Sequence, residues 1–509
     1  MKFLTLASLV GLLWLGGCAS PGMTDLSSTP APADALPTTS VAAVPAEPGH
    51  VPEFPTGTLT PITATETPSQ AITSTAAPLD LWERIRRGFA MPDLESDLVR
   101  DREQWYAARP EDLERMTERS RKYLFHIVEE LERRNMPTEL ALLPFIESAF
   151  NPQAYSRARA AGMWQFIPST GKLYRLKQNA FRDDRRDVLA STRAALDYLQ
   201  KLYGMFGDWH LALAAYNWGE GSVGRAITKN EHKGLGTGYL DLSMPMETRF
   251  YVPKLLAVKN IVASPDKFGV KLPDIGNHPY FDTVVIRRDI DVALAAKLAE
   301  VPLEDFKALN PSLHRPVILA AGTPQILLPW DNADIFQRNL DAYAGTRLSS
   351  WTVWIAPTTL KPADAARRVN MSEADLRYVN SIPPHMTIRA GSTLLVPRPA
   401  RQERDVTMRI ADGGQLALAP DMVERRMVFK AGKNESVASF ARRYRVNPAK
   451  VAEWNKVSTT ASFKLHQDVV VYRMVPVGSA VRRAPARVGS KHAPGNKTAK
   501  APTTKVARR

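Results

Sequence analysis

Glu147 closes an apolar stretch and opens the run Glu147-Ser148-Ala149-Phe150-Asn151-Pro152, with Ile146 and Phe150 as near neighbours. A carboxylate in such company loses hydration. Desolvation raises a carboxyl pKa, so the side chain can keep its proton until it donates to a leaving oxygen. Cleavage of a glycosidic bond has that requirement. Taken alone, however, a Glu at the end of an apolar helix is more often a solvated boundary residue. Two segments downstream shift the balance. Gly162-Met163-Trp164-Gln165-Phe166-Ile167-Pro168-Ser169-Thr170-Gly171 joins a tight glycine approach to an aromatic, an amide and a proline-stopped loop. Such a segment suits packing a sugar face and hydrogen-bonding an N-acetyl group, although a buried Trp followed by a Ser or Thr helix cap explains it too. Leu211-Ala212-Leu213-Ala214-Ala215-Tyr216-Asn217-Trp218-Gly219-Glu220-Gly221 is a helix of small residues that admits close packing and ends in a glycine-rich turn. It places Tyr216 and Asn217 within reach of polar partners, and a core Tyr with a satisfied hydroxyl is the ordinary alternative.

Other elements must hold these residues together. Leu79 to Phe89 carries helical signals, and from Glu111 to Arg134 the residues Leu113, Met116, Tyr123, Leu124, Ile127, Val128 and Leu131 recur at helical spacing among charged ones. Pro137 suits a first helical turn, so a further apolar helix is expected through Leu140, Leu143 and Ile146, bent near its end where Pro144 removes a donor. Past about Lys271 the pattern becomes short apolar stretches between turns, and it repeats. Val284-Val285-Ile286, Thr352-Val353-Trp354 and Met427-Val428-Phe429 each start a unit. Helical stretches follow at Ala293 to Leu298, Ala363 to Val369 and Val437 to Tyr444, then Leu309-Asn310, Val379-Asn380 and Trp454-Asn455. Ile326-Leu327-Leu328-Pro329, Leu394-Leu395-Val396-Pro397 and Val469-Val470-Val471-Tyr472 close the units. A strand, two short helices and a returning strand bury a small two-layer core.

At 509 residues the chain exceeds one ordinary core. The expected fold class is multidomain: an all-α catalytic domain over residues 79–270, then small α+β (βααβ) modules over 281–330, 350–398 and 426–473. A formal charge of +15 favours polyanionic surroundings, whether nucleic acid, anionic lipid or a carboxylate-bearing wall. No nucleic-acid reader motif is present, so no nucleic acid is expected as partner. Residues 1–17 read as an export signal, with Lys2 before an apolar run from Phe3 to Leu15 that is too short to span a bilayer comfortably. The run closes on Leu15-Gly16-Gly17-Cys18, which resembles the bacterial lipobox, where a peptidase cuts before a cysteine whose thiol carries lipid. Cys18 is the one cysteine, so neither an intrachain disulfide nor a cysteine-rich metal site is possible. Ala19, by resemblance to sorted lipoproteins, favours the outer membrane with the protein facing the periplasm. Residues 18–78 are Pro, Ala, Thr and Ser with hardly an aromatic, and read as a disordered leash. Residues 480–509 form a basic tail without apolar periodicity, expected to be disordered.

The order of the three segments resembles the soluble lytic transglycosylase family of the goose-type lysozyme superfamily, strongly between about Leu113 and Val262. Arg185-Arg186-Asp187 and Ala194-Ala195-Leu196-Asp197-Tyr198-Leu199 also fit it. The resemblance implies a lysozyme-like helical fold acting on peptidoglycan, with Glu147 as catalytic residue. It implies that Gln165, Tyr216 and Asn217 line the glycan cleft, with Ser148 and Met163 close by. No second motif carboxylate appears, so the family scheme has Glu147 act twice, first as acid and then as base on the muramoyl C6 hydroxyl, leaving a 1,6-anhydro ring. Asp183, Asp184, Asp187 and Glu220 remain as second carboxylates for the nearest alternative, a hydrolytic goose-type lysozyme. A non-catalytic wall-binding lipoprotein is the alternative of another class. The repeats resemble LysM modules, which bind N-acetylglucosamine-containing chains. Lys430-Ala431-Gly432-Lys433-Asn434-Glu435-Ser436 partly matches that family's opening turn, and a purely structural role for at least one copy stays open. No metal or organic cofactor is implied, and a monomer is expected.

Overall fold

Asp80 accepts hydrogen bonds from the amides of Trp82 and Glu83 and so starts α1 (Leu81–Arg87). Ser96 does the same for α2 (Asp97–Ala107), an element that apolar spacing alone does not reveal because it buries only Val99 and Tyr106. The amphipathic scaffold is two helices, α3 (Pro110–Ser120) and α4 (Leu124–Arg133), separated by Arg121 to Tyr123. The computed structural model describes residues 78–345 and 347–478. The expected leader, Cys18, the leash up to residue 77 and the basic tail lie outside them.

The stretch after Pro137 is not the single bent helix expected. Thr138–Leu142 form a 3-10 turn, and α5 (Leu143–Ser148) begins afresh with Pro144 in its first turn. There the missing proline N–H has no helical partner to lose, so Pro144 starts the helix rather than bending its end. Ser169 and Thr170 lie inside α6 (Pro168–Leu173) and do not cap it, because Pro168 already fills the first turn. Asp187 caps α7 (Val188–Phe206) and Asp208 caps α8 (Trp209–Trp218); α9 (Glu220–Glu231), α10 (Met246–Arg249) and α11 (Tyr251–Ala263) complete the helical domain. Helix α11 is apolar on nearly every side, as a helix enclosed by others must be. It packs against α2, α5 and α8. Its Leu255, Leu256 and Val258 join Leu124, Ile127 and Leu131 of α4 and Ala212 to Ala215 of α8 in one buried core.

The domain is followed by small α/β units. The first holds β1 (Phe281–Val285), β2 (Ile290–Asp291), α12 (Val292–Leu298), α13 (Leu303–Leu309), β3 (Val317–Ile318) and β4 (Gln325–Pro329), with α14 (Trp330–Asp341) behind it. The second holds β5 (Trp351–Ile355), α15 (Pro362–Arg368), α16 (Glu373–Asn380), β6 (Met386–Ile388) and β7 (Thr393–Pro397), then α17 (Met408–Gly413) and β8 (Leu418–Pro420). The third holds β9 (Met422–Lys430), β10 (Glu435–Ser436), α18 (Val437–Tyr444), α19 (Pro448–Asn455), β11 (Ser462–Phe463) and β12 (Asp468–Pro476). First and last long strands pair antiparallel in each, with Val284 opposite Ile326, Val353 opposite Leu395 and Val428 opposite Val470. Each unit has its own core, built around Phe306 and Phe336, Leu376 and Ile388, and Phe440 and Phe463.

The repeated asparagines account for the regularity. Asn310 donates to the carbonyls of Phe306 and Leu327 at 2.9 and 2.8 Å and accepts from the Leu327 amide at 2.9 Å. Asn380 repeats this with Leu376 and Leu395, and Asn455 with Val451 and Val470. One side chain thereby ties the end of the second helix to the returning strand in every unit.

The first two units are also fastened to the helical domain. Phe181 packs with Val317, Leu319, Leu395, Val406 and Ala411 in a shared apolar cluster. The Asp183 amide donates to the Ser312 carbonyl at 3.1 Å, and the Asn179 side chain donates to the Ala411 carbonyl at 2.9 Å. Between the two units, Arg398 bridges Asp289 and Asp405 at 3.1 Å each.

Candidate active site

Helix α5 ends in two successive left-handed residues, Ala149 at φ 52° and Phe150 at φ 54°. Their amides close the helix, Ala149 on the Phe145 carbonyl at 3.2 Å and Phe150 on that of Pro144 at 3.0 Å. Each such conformation costs a non-glycine residue about 1 kcal/mol. Burial of Phe150 edge-on to Phe145, with ring centres 4.7 Å apart, offsets it. The sharp stop leaves Glu147 on the final turn, half-buried.

The Gly162 segment closes over α5. A Cβ at Gly162, where φ is +84°, would stand 2.0 Å from the Arg185 carbonyl oxygen, so only glycine fits. Arg185 is buried, pairs with Asp183 at 2.7 Å and donates to the carbonyls of Arg159 and Phe166 at 2.6 and 3.1 Å, fixing the loop from both ends. Trp164 is fully buried and donates its indole N–H to Thr192 at 3.1 Å. Its carbonyl accepts from the Tyr216 hydroxyl at 2.9 Å, and the Met163 carbonyl accepts from Ser148 at 2.9 Å. These bonds join α5, the loop and α8. Gln165, left-handed at φ 50°, folds its amide back onto the Gly162 carbonyl at 2.8 Å. Asn217 accepts at Oδ1 from the Thr248 hydroxyl at 2.8 Å.

Glu147, Gln165, Tyr198, Tyr216, Asn217 and Tyr251 line a cleft of about 500 Å³. Tyr251, first residue of α11, donates a hydrogen bond to Glu147 Oε1. Burial pushes the Glu147 carboxyl up to about 7; the Tyr251 hydrogen bond opposes the rise, the charge of Glu247 adds to it and Lys254 opposes it. Burial and the charge of Glu147 hold the hydroxyls of Tyr216 and Tyr251 well above their usual range, so both remain neutral donors. A second pocket of about 510 Å³ adjoins the cleft at Ile146, Glu147 and Lys254, with Ser148, Trp105 and several arginines in its wall.

Of the residues singled out in the sequence, Glu147, Gln165, Tyr216 and Asn217 share the cleft. Ser148 borders the adjoining pocket, while Met163 is wholly buried and enters the site only through its carbonyl. The four other acidic candidates are engaged elsewhere. Asp183 pairs with Arg185, Asp184 faces Arg182 at 3.4 Å, and Asp187 caps α7 and accepts from Ser312 at 3.2 Å. Glu220 accepts from the hydroxyl of Tyr198, a cleft residue, at 2.8 Å and pairs with Lys201 at 2.9 Å, so its carboxylate is engaged behind the lining rather than part of it. Sequence reasoning missed Tyr251, Glu247 and Lys254. Tyr251 heads an apolar helix and looks like any core aromatic, and only the meeting of α5 with α11 gives it a role. Among the described residues no group of His, Cys, Asp and Glu is arranged to hold a metal ion.

A half-buried glutamic acid in a groove of aromatic and amide side chains, on a helical domain with appended α/β units, defines a class. The family described as "Transglycosylase SLT domain" matches residues 126–235, and the family described as "Lytic transglycosylase MltD, LysM-like domain" matches residues 280–345. Among curated proteins, the membrane-bound lytic murein transglycosylase D of Escherichia coli K12 is 34% identical over 405 residues, covering 77% of this chain and 85% of its own length. A putative tributyltin chloride resistance protein from an Alteromonas species is 48% identical over 116 residues, 23% of this chain and 56% of that one. A putative soluble lytic murein transglycosylase of Haemophilus influenzae is 33% identical over 121 residues, 22% of this chain and 19% of that one. The chain belongs to the membrane-bound lytic murein transglycosylase D family.

Proposed function

We propose that this protein is a peptidoglycan lytic transglycosylase, cutting the β-1,4 bond between N-acetylmuramic acid and N-acetylglucosamine with Glu147 as acid and then as base. The observation that carries the reading is the Glu147 carboxyl, pushed up to about 7 in a sugar-sized cleft and held by Tyr251. A group whose pKa lies near the working pH donates and recovers a proton with comparable ease. Glu147 gives its proton to the glycosidic oxygen as the bond from C1 breaks, and N-acetylglucosamine leaves as an alcohol. The acetamido group of the substrate stabilises the cation at C1. The carboxylate then takes the proton of the C6 hydroxyl as O6 bonds to C1, closing the 1,6-anhydro ring without water. Tyr251 steadies the carboxylate between the steps, because its hydroxyl bonds best to the charged form. Gln165, Tyr216 and Asn217 hold the glycan, while Ser148 and the Met163 carbonyl tie α5 to the loop.

The same reading extends to the rest of the chain. Cys18 carries a lipid that anchors the enzyme to the outer membrane facing the periplasm, and the leash lets it reach the wall. The relative's printed name, membrane-bound, supports the anchorage. No described helix is long and apolar enough to cross a membrane. Of the LysM-like units the third is the best suited to bind glycan freely, since the first two join the apolar cluster against the helical domain and the third does not. The protein acts as a monomer and needs no cofactor.

Digestion of purified sacculi by the mature protein and by Glu147→Gln, read by mass analysis of the muropeptides, tests the mechanism. Anhydro ends from the former and their loss from the latter are expected. Hydrated reducing ends in their place would instead assign a hydrolase, with Glu247, the other carboxylate of the cleft, as the first candidate for its water-activating base.

A further inference from the structure

We infer that the pocket adjoining the cleft at Glu147 is a subsite for the carboxylate-bearing stem peptide of the muramoyl residue whose bond is cut. This rests on the transglycosylase reading and extends it to what the sugar carries. The two hollows differ in charge. Hydroxyls, amides and aromatic rings dominate the cleft, and its charged groups are Glu147, Glu247 and Lys254. That lining suits an uncharged sugar face. The second pocket is lined by Arg102, Arg115, Arg119 and Lys254, against Asp112 and Glu147.

Not all of those cations are spent. Arg115 pairs with Asp112, and Arg102 with Asp101. Arg119 lies on the same face of α3 as Asp112 and Arg115, at helical spacing, and is exposed. Among the described residues its one hydrogen bond runs from Nε to the Arg115 carbonyl at 3.1 Å, and it has no carboxylate partner there. Lys254 likewise makes no ion pair there, although its charge acts on Glu147. The planar guanidinium of Arg119 keeps donors for a bidentate carboxylate. Trp105, 39% exposed and with the Arg109 guanidinium 4.2 Å from its ring centre, adds an apolar wall.

Position decides the occupant. A group seated here must hang from the sugar ring that meets Glu147, since Glu147 borders both hollows. On a peptidoglycan strand the substituent of that ring is the lactyl-linked peptide, and its free acidic groups are carboxylates. The pocket, about 510 Å³ in volume, has room for several residues of such a stem.

The test compares two substrates: strands with free stem carboxylates, and the same strands with those carboxylates converted to amides. The full-length enzyme should show a KM about tenfold lower for the free carboxylates, the difference one charge-assisted hydrogen bond makes. Arg119→Ala should erase that preference by raising KM on the charged strands, with kcat little changed, and Arg119→Lys should recover part of it. A wild-type enzyme indifferent to amidation, a variant that keeps the preference, or a variant that loses rate on both substrates alike overturns the assignment. Failure of the parent reading would appear otherwise, as hydrated product ends or activity that survives Glu147→Gln.

Discussion

Glu147 and the three asparagines of the repeats, Asn310, Asn380 and Asn455, are polar side chains at the C-terminal ends of helices, enclosed by apolar neighbours. Their polar atoms meet opposite fates. Each asparagine makes three hydrogen bonds to backbone, so its burial is compensated and it serves as a clasp. Glu147 has Tyr251 as its side-chain hydrogen-bond donor, and burial pushes its pKa up to about 7. A fully compensated polar group builds the fold, whereas one compensated only in part is left reactive.

The sharpest way to break the comparison is to remove the reactive member. Glu147→Gln should lower release of anhydromuropeptides at least about a hundredfold, the lower end of what general acid and base catalysis supplies. Circular dichroism should find its fold intact. Near-normal turnover by that variant would return Glu147 to the ordinary boundary residue that its position alone suggests. Removing a clasp should do the reverse. Asn380→Ala strands the amide and carbonyl of Leu395 in a buried setting, and should destabilise the second unit by about 2 to 3 kcal/mol in denaturant unfolding. Sacculus cleavage per folded molecule should barely move. If stability instead stays level, water replaces the side chain and the clasp reading fails.

This contrast also explains which parts of the molecule are legible in the amino-acid sequence. The asparagines are legible because each recurs in the same order between its helix and its returning strand, and a repeated unit repeats its fastening. The Glu147, Gly162 and Tyr216 segments are legible as motifs with a fixed order, and the helical domain from its apolar spacing. Their companions are not. Tyr251 and Glu247 lie far along the chain from Glu147 and reach its surroundings only because α11 packs against α5 and α10 precedes it. The late bend expected at Pro144 fails for a local reason, since a proline in a first turn has no bond to break. Helix α2 escapes notice because its polar faces outnumber its buried ones.

A smaller effect sharpens the energetic side. The folded-state pKa of Glu147 lies above its unfolded value of 4.5, so the folded form holds the proton longer. Stability contributed by this group is present in acid, falls as pH rises from 4.5 and is lost once pH passes about 7. Gln cannot ionise and still accepts from Tyr251. Glu147→Gln should therefore leave stability near pH 4 almost unchanged and raise it near pH 8 by about 3 kcal/mol, measured as paired denaturant midpoints. An equal shift at both pH values would mean that packing rather than charge accounts for it.

The smallest effect distinguishes the two carboxylates of the cleft. Glu247 is exposed, and its negative charge is one of the causes that raise the Glu147 pKa. A neutral amide at position 247 removes that repulsion and lowers the Glu147 pKa. Because the first step needs protonated Glu147, the alkaline limb of the rate profile should move to lower pH in Glu247→Gln, while the products keep their anhydro ends. Loss of most activity at every pH, with hydrated ends in the wild type, would place Glu247 in the reaction itself and give the cleft two working carboxylates rather than one.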